Sequence, residues 1–409
     1  MAEHRVVTVV DVGSTKILTL VGEAAANDVG FTIIGVGSAP SRGIRRGQVI
    51  SVADATSAIR ESLAGAQASS GVKPTQVVMS INGAHIASQN TTGAAAISRG
   101  DQGVTEEDVA RCVDAAQAIP VPNNRRILHV IPRHFRVDEQ EGVRNPLGML
   151  GFRLEVQAHV VTCAVTAEQN LLKCAHSAGV DVSEFVLAPL GAAEAVLTQT
   201  EKDMGVVLVD IGGGVTSMTI FTEGAAWYTK VIEVGGAHFT NDLAQVLRLP
   251  FEAAEQFKLD YGHANPADVS QDQICEIAGF GDEPRVRLLR REAAEILQAR
   301  AEELFDLVEQ EIRRSDHPGL LTAGLVLTGG GALLSGLREC ARRVTGRPVR
   351  TARPKRLFGM ADGLLSPSAS TAVGLLHWSL QGSTARPAQR RRLLSRFDLS
   401  RWLRGLLPE

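Results

Sequence analysis

The sequence predicts an α/β protein with two related lobes, and three glycine-containing segments support this. Two segments share one pattern, a buried strand ending in aspartate, a turn of glycine and hydroxyl residues, and a returning strand: VVTVVDVGSTKILTLVGE (6–23) and VVLVDIGGGVTSMTIFTE (206–223). The third, residues 324–344, predicts a strand, a glycine triplet and a helix from about Ala332. One Asp-x-Gly hairpin is usually a plain turn, but its repetition in both halves of the chain indicates a duplicated fold.

Each hairpin turn has the composition of a phosphate-binding loop. Glycines permit the backbone angles that aim several N–H groups at one anion, and the hydroxyl and ammonium groups add donors. The two aspartates, Asp11 and Asp210, cannot bind phosphate directly but can hold a hydrated Mg²⁺ between them. For Lys16, a solvated lysine at a strand edge is the alternative. The candidate residues are Asp11, Gly13, Ser14, Thr15, Lys16, Asp210, Gly212, Gly213, Gly214 and Thr216.

Two further segments can complete a nucleotide site. Backbone without side chains at a helix start lets a flat base or a ribose lie against it, which makes Gly329, Gly330, Gly331 and Ala332 candidates. Residues 231–262 predict a strand, two glycines and helices with a charged pair one turn apart, giving Gly235, Gly236, Glu255 and Lys258. The alternatives are a tight turn that touches nothing and an ordinary surface ion pair.

The length of 409 residues predicts two or more domains, and the composition agrees with a large nucleotide-binding protein. Hydrophobic residues make up 44% of the chain, and the formal net charge of −3 argues against a general nucleic-acid binder. The start of the chain does not resemble a signal peptide, and no apolar run reaches membrane-spanning length, so we expect a cytoplasmic protein. The cysteines lack CxxC spacing and are expected to be reduced; they are Cys112, Cys163, Cys174, Cys275 and Cys340.

Residues 84–159 predict a compact α+β unit inserted between the hairpins. Its expected elements are a strand pair, a helix over residues 106–118 with Thr105 as its cap, and two or three further strands. The unit carries no acid pair, histidine cluster or nucleophile arrangement. We therefore expect it to be an interaction module.

The end of the chain differs from the rest. Residues 381–397 are rich in glycine, serine, proline and arginine and predict a flexible basic tether. With Asp398 as N-cap, residues 398–409 predict an amphipathic helix that lies in a membrane interface, alongside arginines that favour anionic lipid. Docking onto the protein itself or onto another subunit is the alternative. The apolar face comprises Leu399, Trp402, Leu403, Leu406 and Leu407.

The order of these segments resembles that of the actin, Hsp70 and sugar-kinase superfamily. Three long strings are similar to the FtsA family of bacterial cell-division proteins: ILHVIP (127–132), NPLGMLG (145–151) and RLEVQAHVVT (153–162). The resemblance implies an actin-like two-lobed ATPase fold of duplicated ribonuclease-H-like domains, with an FtsA-type α+β insert in place of actin's subdomain 1B. It also implies ATP and Mg²⁺ as cofactors.

The resemblance implies six regions. They are the first lobe 1A (1–83, 160–190 and 370–380), the insert 1C (84–159), the second lobe 2A (191–230 and 311–369), the outer subdomain 2B (231–310), the tether (381–397) and the amphipathic helix (398–409). Small residues at 191–193 and 370–376 would let two connecting helices cross closely, and that crossing is the expected hinge.

The resemblance also implies roles within the site. Glu255 would accept hydrogen bonds from the ribose, and Lys258 would lie along the base. Ala188 occupies the place where many relatives have a glutamate or glutamine that orients the attacking water, so we expect a slow ATPase at most, with nucleotide acting mainly as a conformational and assembly ligand. Glu194 could substitute through a water, although a solvent-facing glutamate is the simpler expectation. No catalytic residue is assigned.

The implied function is a membrane-tethered, ATP-binding division protein on the cytoplasmic face of the cell membrane at the septum. It would polymerise, anchor FtsZ filaments and recruit later division proteins through the insert. The FtsZ C-terminal peptide is expected on a helix over residues 285–314 of the outer subdomain, near Arg285, Arg287, Arg290, Arg291 and Arg300, although such arginines could simply offset the acidic residues 302–311. The rival function is a sugar-kinase-like phosphotransferase, which needs a general base that the sequence does not supply.

Overall fold

A computed structural model describes residues 5–24, 31–98, 102–280, 285–316, 319–355, 357–359 and 363–381. The expected amphipathic helix, with Leu399, Trp402, Leu403, Leu406 and Leu407, lies outside these residues, as does nearly all of the tether. Within the described ranges, no helix is both long and apolar enough to span a bilayer.

The first lobe begins with strands that bring the first aspartate to a sheet edge. Strand β1 pairs antiparallel with β2 and parallel with β6, so the carboxyl ends of β1 and β6 lie side by side. The elements up to the insert are β1 (Arg5–Val12), β2 (Lys16–Ala24), β3 (Phe31–Pro40), β4 (Ile44–Arg45), β5 (Gln48–Val49), α1 (Val52–Ser70) and β6 (Gln76–Ile81).

The insert forms its own antiparallel sheet and core. Its elements are β7 (Ala87–Ala96), α2 (Glu106–Gln117), β8 (Arg125–Val137), β9 (Gln140–Val143) and β10 (Arg153–Ala164), with sheet order β7-β10-β8-β9. Thr105 caps α2 in a reciprocal capping box with Asp108, as the sequence predicts. Helix α2 covers one face of the sheet and buries Val109, Cys112 and Val113 against Phe135 and other strand residues.

The chain then returns to the first lobe and crosses to the second. It forms α3 (Val165–Ala178), β11 (Asp181–Leu187), α4 (Ala188–Val196) and α5 (Gln199–Met204), followed by β12 (Val206–Ile211), β13 (Thr216–Thr222) and β14 (Ala225–Ile232). Strands β12, β13 and β14 repeat the antiparallel arrangement of β1, β2 and β3. The predicted duplication is therefore present in the backbone.

The outer part of the second lobe contains α6 (Gly236–Val246), α7 (Phe251–Tyr261), β15 (Ile274–Ile277), β16 (Val286–Leu289) and α8 (Arg290–Arg314). The helix expected from residue 285 begins only at Arg290. Arg285 precedes β16, and Arg287 lies within it. The stretch is a strand because its apolar residues Val286 and Leu288 alternate with the arginines, and residues 286–289 pair with β15. The prediction that Arg285 and Arg287 lie on the helix was wrong.

The last described elements are β17 (Gly324–Thr328), α9 (Leu337–Thr345), β18 (Val349–Thr351), β19 (Phe358–Gly359) and α10 (Ser370–Gln381). They complete a five-stranded sheet of order β14-β13-β12-β17-β18 and a six-stranded sheet of order β11-β6-β1-β2-β3-β19. The helix expected from Ala332 is a single 3₁₀ turn over Gly330–Leu333, and α9 starts at Leu337. Gly336 has a φ of 76°, and this left-handed residue separates the turn from the helix.

The two lobes meet where α4 crosses α10. A Cβ atom built on Gly374 would lie 1.8 Å from the backbone oxygen of Gly191, so only glycine permits this approach. Both helices contribute to a core cluster that also includes Val9 of β1 and Leu208 of β12. A close crossing between the lobes is what a hinge at this position requires.

Candidate functional site

The turns of the two predicted hairpins face each other across the lobes. They have the same local geometry, since Gly13 N donates to Lys16 O at 3.1 Å and Gly212 N donates to Val215 O at 2.9 Å. A Cβ atom on Gly213 would lie 1.8 Å from Thr15 Oγ1, and one on Gly214 would lie 2.7 Å from Ser14 Oγ. The glycines therefore allow one turn to approach the hydroxyl groups of the other.

The two aspartates lie close enough to affect each other's ionisation. Burial raises the pKa of Asp11, while burial and the charge of Asp11 raise the pKa of Asp210 to about 7. Ser80 Oγ donates to Asp11 Oδ1 at 2.8 Å, and Thr371 Oγ1 donates to Asp210 Oδ2 at 3.4 Å. Two neighbouring buried carboxylates are stabilised by a cation, so this donor set fits a hydrated Mg²⁺.

The start of α6 packs directly on the second turn. Gly236 N donates to Gly212 O at 2.9 Å, and Ala237 N donates to Gly213 O at 2.8 Å. A Cβ atom on Gly235 would lie 2.7 Å from Val215 N, so this position also requires the absence of a side chain.

The predicted pair Glu255 and Lys258 is more than a surface ion pair. Lys258 Nζ lies 2.7 Å from Glu255 Oε2 and also donates to Gly236 O at 3.1 Å and to Thr240 Oγ1 at 2.7 Å. The Thr240 hydroxyl donates to Glu255 as well. Because the Lys258 side chain is only 13% exposed, the pair fixes α7 to the start of α6 beside the second turn.

The third glycine run contacts the second aspartate. A Cβ atom on Gly329, whose φ is 83°, would lie 2.4 Å from Asp210 Oδ1, and one on Gly331 would lie 2.4 Å from Ile211 Cγ2. Gly330 has more room, with Ser368 Cβ as the nearest atom at 3.8 Å, and Ala332 is buried. The run is therefore part of the same site as the second hairpin.

Lys16 reaches the loop that precedes α10. Its Nζ donates to Ser368 O at 3.5 Å, which joins the first hairpin to the segment following the glycine run. The Lys16 charge also acts against the raised pKa of Asp11. The lysine therefore lies among the candidate residues rather than at an isolated strand edge.

Thr216 does not join the other candidates. In the β12–β13 register, Asp210 is opposite Ser217 and Ile211 is opposite Thr216, so Thr216 lies on the Ile211 face of the strand pair. The Thr216 side chain is fully buried, and its Oγ1 has no hydrogen-bond partner. The expected hydroxyl donor is thus on the opposite side of the sheet, and Ser217, bonded to Asn82 Nδ2 at 2.7 Å, lies on the Asp210 side.

Ala188 is the first residue of α4 and is buried. Glu194, which could have substituted for the missing acid, accepts from Lys202 Nζ at 2.9 Å, and its side chain is only 19% exposed. It therefore does not face solvent as expected, and its charge is already paired.

The five arginines expected to bind the FtsZ peptide all have partners within the protein. Arg285 and Arg287 pair with Glu276, Arg291 pairs with Glu295, and Arg290 Nε donates to Tyr261 O at 2.7 Å. Arg300 is paired as well, with Asp242 and with Glu303.

Arg300 lies in a groove of about 330 Å³ between α6 and α8. Its guanidinium binds both oxygens of Asp242, at 2.5 and 2.8 Å, and this pairing raises the pKa of Arg300. Val246 at the rim of the groove is 64% exposed.

Sequence comparisons identify the family. The family model described as "Cell division protein FtsA" matches residues 207–374, and the model of the SHS2 domain inserted in FtsA matches residues 83–162. The FtsA of Pseudomonas aeruginosa is 42% identical over 371 residues, covering 91% of this chain and 88% of that protein. The chain belongs to the FtsA family of cell-division proteins. The FtsA of Neisseria meningitidis serogroup B is 38% identical over 388 residues, covering 94% and 93% of the two chains.

Comparison with solved structures confirms the actin-like fold of this FtsA-family chain. A PilM–PilN type IV pilus biogenesis complex matches with a TM-score of 0.65 at 18% identity, covering 90% of this chain and 97% of that one. MreB5 of Spiroplasma citri bound to ADP matches with a TM-score of 0.55 at 15% identity, covering 93% of this chain and 97% of that one. A MamK double helical filament matches with a TM-score of 0.52 at 12% identity, covering 92% of this chain and 99% of that one. At these identities the likeness concerns the fold alone.

Proposed function

We propose that this FtsA-family chain is an ATP-binding, membrane-tethered filament protein that anchors FtsZ to the cytoplasmic face of the membrane at the division site and recruits later septal proteins. Nucleotide binding is supported mainly by one observation: the two glycine turns meet beside Asp11 and Asp210. The solved MreB5 structures bound to ADP and AMPPNP support it, because they share the fold.

The residues of the cleft divide among the parts of Mg²⁺-ATP. Ser14, Thr15, Lys16 and the backbone of 212–214 would bind the phosphates, and Asp11 and Asp210 would hold Mg²⁺ through its waters. Glu255, Lys258 and the 329–332 run would flank the ribose and base. Bound Mg²⁺ offsets phosphate charge. Since the two turns contact each other here, phosphate entry requires them to separate about the α4–α10 crossing.

The position of Ala188 leads to a prediction about turnover. A methyl side chain cannot orient water, and phosphoryl transfer depends on positioning and charge stabilisation. We expect the full chain to bind ATP yet release phosphate far more slowly than the median enzyme rate of about 10 per second, and Ala188→Glu to accelerate release. Steady-state phosphate release measures both, with Ala188→Leu as the control, because leucine adds bulk at the same buried position but no group that could orient water. Release near the median rate by the parent would show that another residue activates the water.

Filament formation is the second part of the proposal. The fold is shared with a MamK double helical filament, and the insert supplies a separate surface for neighbouring subunits or later division proteins. Sedimentation with and without Mg²⁺-ATP, followed by electron microscopy of the pellet, tests it. A chain that stays monomeric with ATP at high concentration and on lipid would contradict self-assembly.

FtsZ binding belongs to the outer subdomain in this proposal. The groove at Arg300 offers a guanidinium for an acidic peptide and an apolar rim at Val246. The FtsZ peptide would compete with Asp242 and Glu303 for Arg300, so its affinity should fall as salt rises. Fluorescence anisotropy with a labelled FtsZ C-terminal peptide measures this affinity directly.

A further inference from the structure

A short hairpin between β3 and α1 lies on both glycine turns. The arginine hairpin (residues 44–49) consists of β4, β5 and a two-residue loop, Arg46 and Gly47. Gly47 N donates to Ser14 Oγ at 3.1 Å. A Cβ atom on Gly214 would lie 3.0 Å from Arg46 N. The hairpin therefore contacts the first turn by a hydrogen bond and the second by close packing.

The loop residue is unusual for its position. Arg46 has a φ of 50° and Gly47 a φ of 74°, the left-handed pair of a two-residue hairpin turn. Such turns favour asparagine, aspartate or glycine at the first position, because other side chains are strained there. The turn alone therefore does not explain a long cation at residue 46.

The Arg46 side chain crosses from the first lobe to the second. Its Nη1 lies 3.1 Å from Glu233 Oε2, and the two side chains are 45% and 54% exposed. An ion pair this exposed contributes little and is easily exchanged. Glu233 stands just before Gly235 and Gly236, so Arg46 bridges the lobes where the turns meet.

We propose that Arg46 is a ligand for the terminal phosphate of the nucleotide and exchanges Glu233 for it on binding. This rests on the proposed function, because it requires phosphate between the two turns. A guanidinium binds a phosphate through two parallel hydrogen bonds, which a half-exposed carboxylate contact does not match. In this exchange the Arg46 guanidinium leaves Glu233 of the second lobe and binds the nucleotide phosphate that lies between the lobes. The nucleotide that is bound would therefore affect how far the cleft closes.

The position of Arg46 also predicts how its contribution to binding differs among ATP, ADP and AMP. It contacts the tips of the two turns through its own hairpin, whereas Glu255, Lys258 and the 329–332 run are assigned to the ribose and base. The contribution of Arg46 to affinity should therefore grow with the number of phosphates. ATP should depend on it most, ADP less and AMP hardly at all.

The test is calorimetric titration of the full chain with Mg²⁺-ATP, Mg²⁺-ADP and AMP. Arg46→Asn removes the charge while keeping a residue type that favours this turn, so the fold should be retained. Arg45→Asn is the matched control, since it removes the same charge one residue away, at the exposed position of strand β4. Losing charge-assisted hydrogen bonds should weaken ATP binding about ten- to a hundredfold in Arg46→Asn, with a smaller loss for ADP. Arg45→Asn should stay within about twofold of the parent.

A second variant distinguishes the ion pair between Arg46 and Glu233 from the proposed contact between Arg46 and phosphate. Glu233→Gln frees Arg46, so ATP affinity should be unchanged or rise by up to about fivefold, the most that an exposed ion pair opposes. Equal losses of ATP affinity in Arg46→Asn and Arg45→Asn would overturn the role of Arg46 but not the proposed function. A loss of affinity in Arg46→Asn that is the same for AMP as for ATP would do so too. Failure of the parent chain to bind ATP would overturn the proposed function together with the role of Arg46.

Discussion

Replacing Gly213 with valine should abolish measurable binding of Mg²⁺-ATP while leaving the chain folded. The Cβ atom would lie 1.8 Å from Thr15 Oγ1, in the space between the two turns where the phosphates are proposed to lie. Gly213 does not have a φ in the left-handed region, so the expected effect of valine is its added bulk. Hydrogen bonds to charged groups contribute about 1.5–3 kcal/mol each, so losing two of them weakens binding by more than about a hundredfold.

Calorimetry measures this change, and circular dichroism checks the fold. The control is Gly142→Asn in β9, where φ is 70° and nothing lies within 4 Å of the added Cβ atom. Asparagine tolerates this conformation, so the control should bind ATP like the parent. Parent-like affinity in Gly213→Val would rule out phosphate binding between the turns.

Replacing Trp402 with glutamate should release the protein from anionic membranes. Trp402 occupies the middle of the apolar face predicted for residues 398–409, and an indole is suited to the boundary between headgroups and acyl chains. Burial of one large apolar side chain contributes about 1.5–3 kcal/mol, and a carboxylate there opposes insertion. We therefore expect at least about a tenfold weaker partition into liposomes, with ATP binding unchanged because the tether separates the two sites.

Sedimentation with anionic liposomes measures the partition. Ser400→Glu is the matched control, because it adds the same charge on the polar face and should have a much smaller effect that high salt removes. If Trp402→Glu pellets like the parent, the helix is not a membrane anchor, and docking onto the protein or a partner becomes the better interpretation.

The local features of the site could be predicted because each lies within a short stretch of sequence. A buried run ending in aspartate and followed by glycine specifies a strand and a turn, so the positions of Asp11, Gly13, Asp210 and the 212–214 run followed directly. Two such hairpins in one chain also predicted the duplicated fold. Glu255 and Lys258 were found by helical spacing, and the structure adds that Lys258 is largely buried.

Other contacts join residues that are far apart in sequence and leave no local pattern. Asn82 and Ser217 are separated by 135 positions, and Arg46 and Glu233 by 187. The arginine hairpin could have been suspected from its GIRRG string, in which two glycines flank the cations. Such a string is compatible with a turn, but it contains nothing that indicates contact with the phosphate loops.

Register and backbone angle explain the expectations that failed. Thr216 was grouped with the donors by its place in the turn, but strand alternation sets it on the Ile211 face. The helix expected from Ala332 was interrupted by Gly336 in the left-handed region. Arg285 and Arg287 were assigned to a helix because a stretch of four residues is too short to distinguish the two-residue period of a strand from the 3.6-residue period of a helix.

Membrane anchoring strengthened by ATP-dependent assembly is tested by co-sedimentation of the full chain with anionic liposomes, with and without Mg²⁺-ATP, beside a chain that ends at Gln381. The sequence predicts one short amphipathic helix in each chain, so a monomer should bind weakly, and ATP-dependent assembly should strengthen binding by presenting many tails to one surface. ATP should increase the pelleted fraction of the full chain, whereas the shortened chain should stay in the supernatant. Equal pelleting of both chains, or no response of the full chain to ATP, would contradict this mode of anchoring.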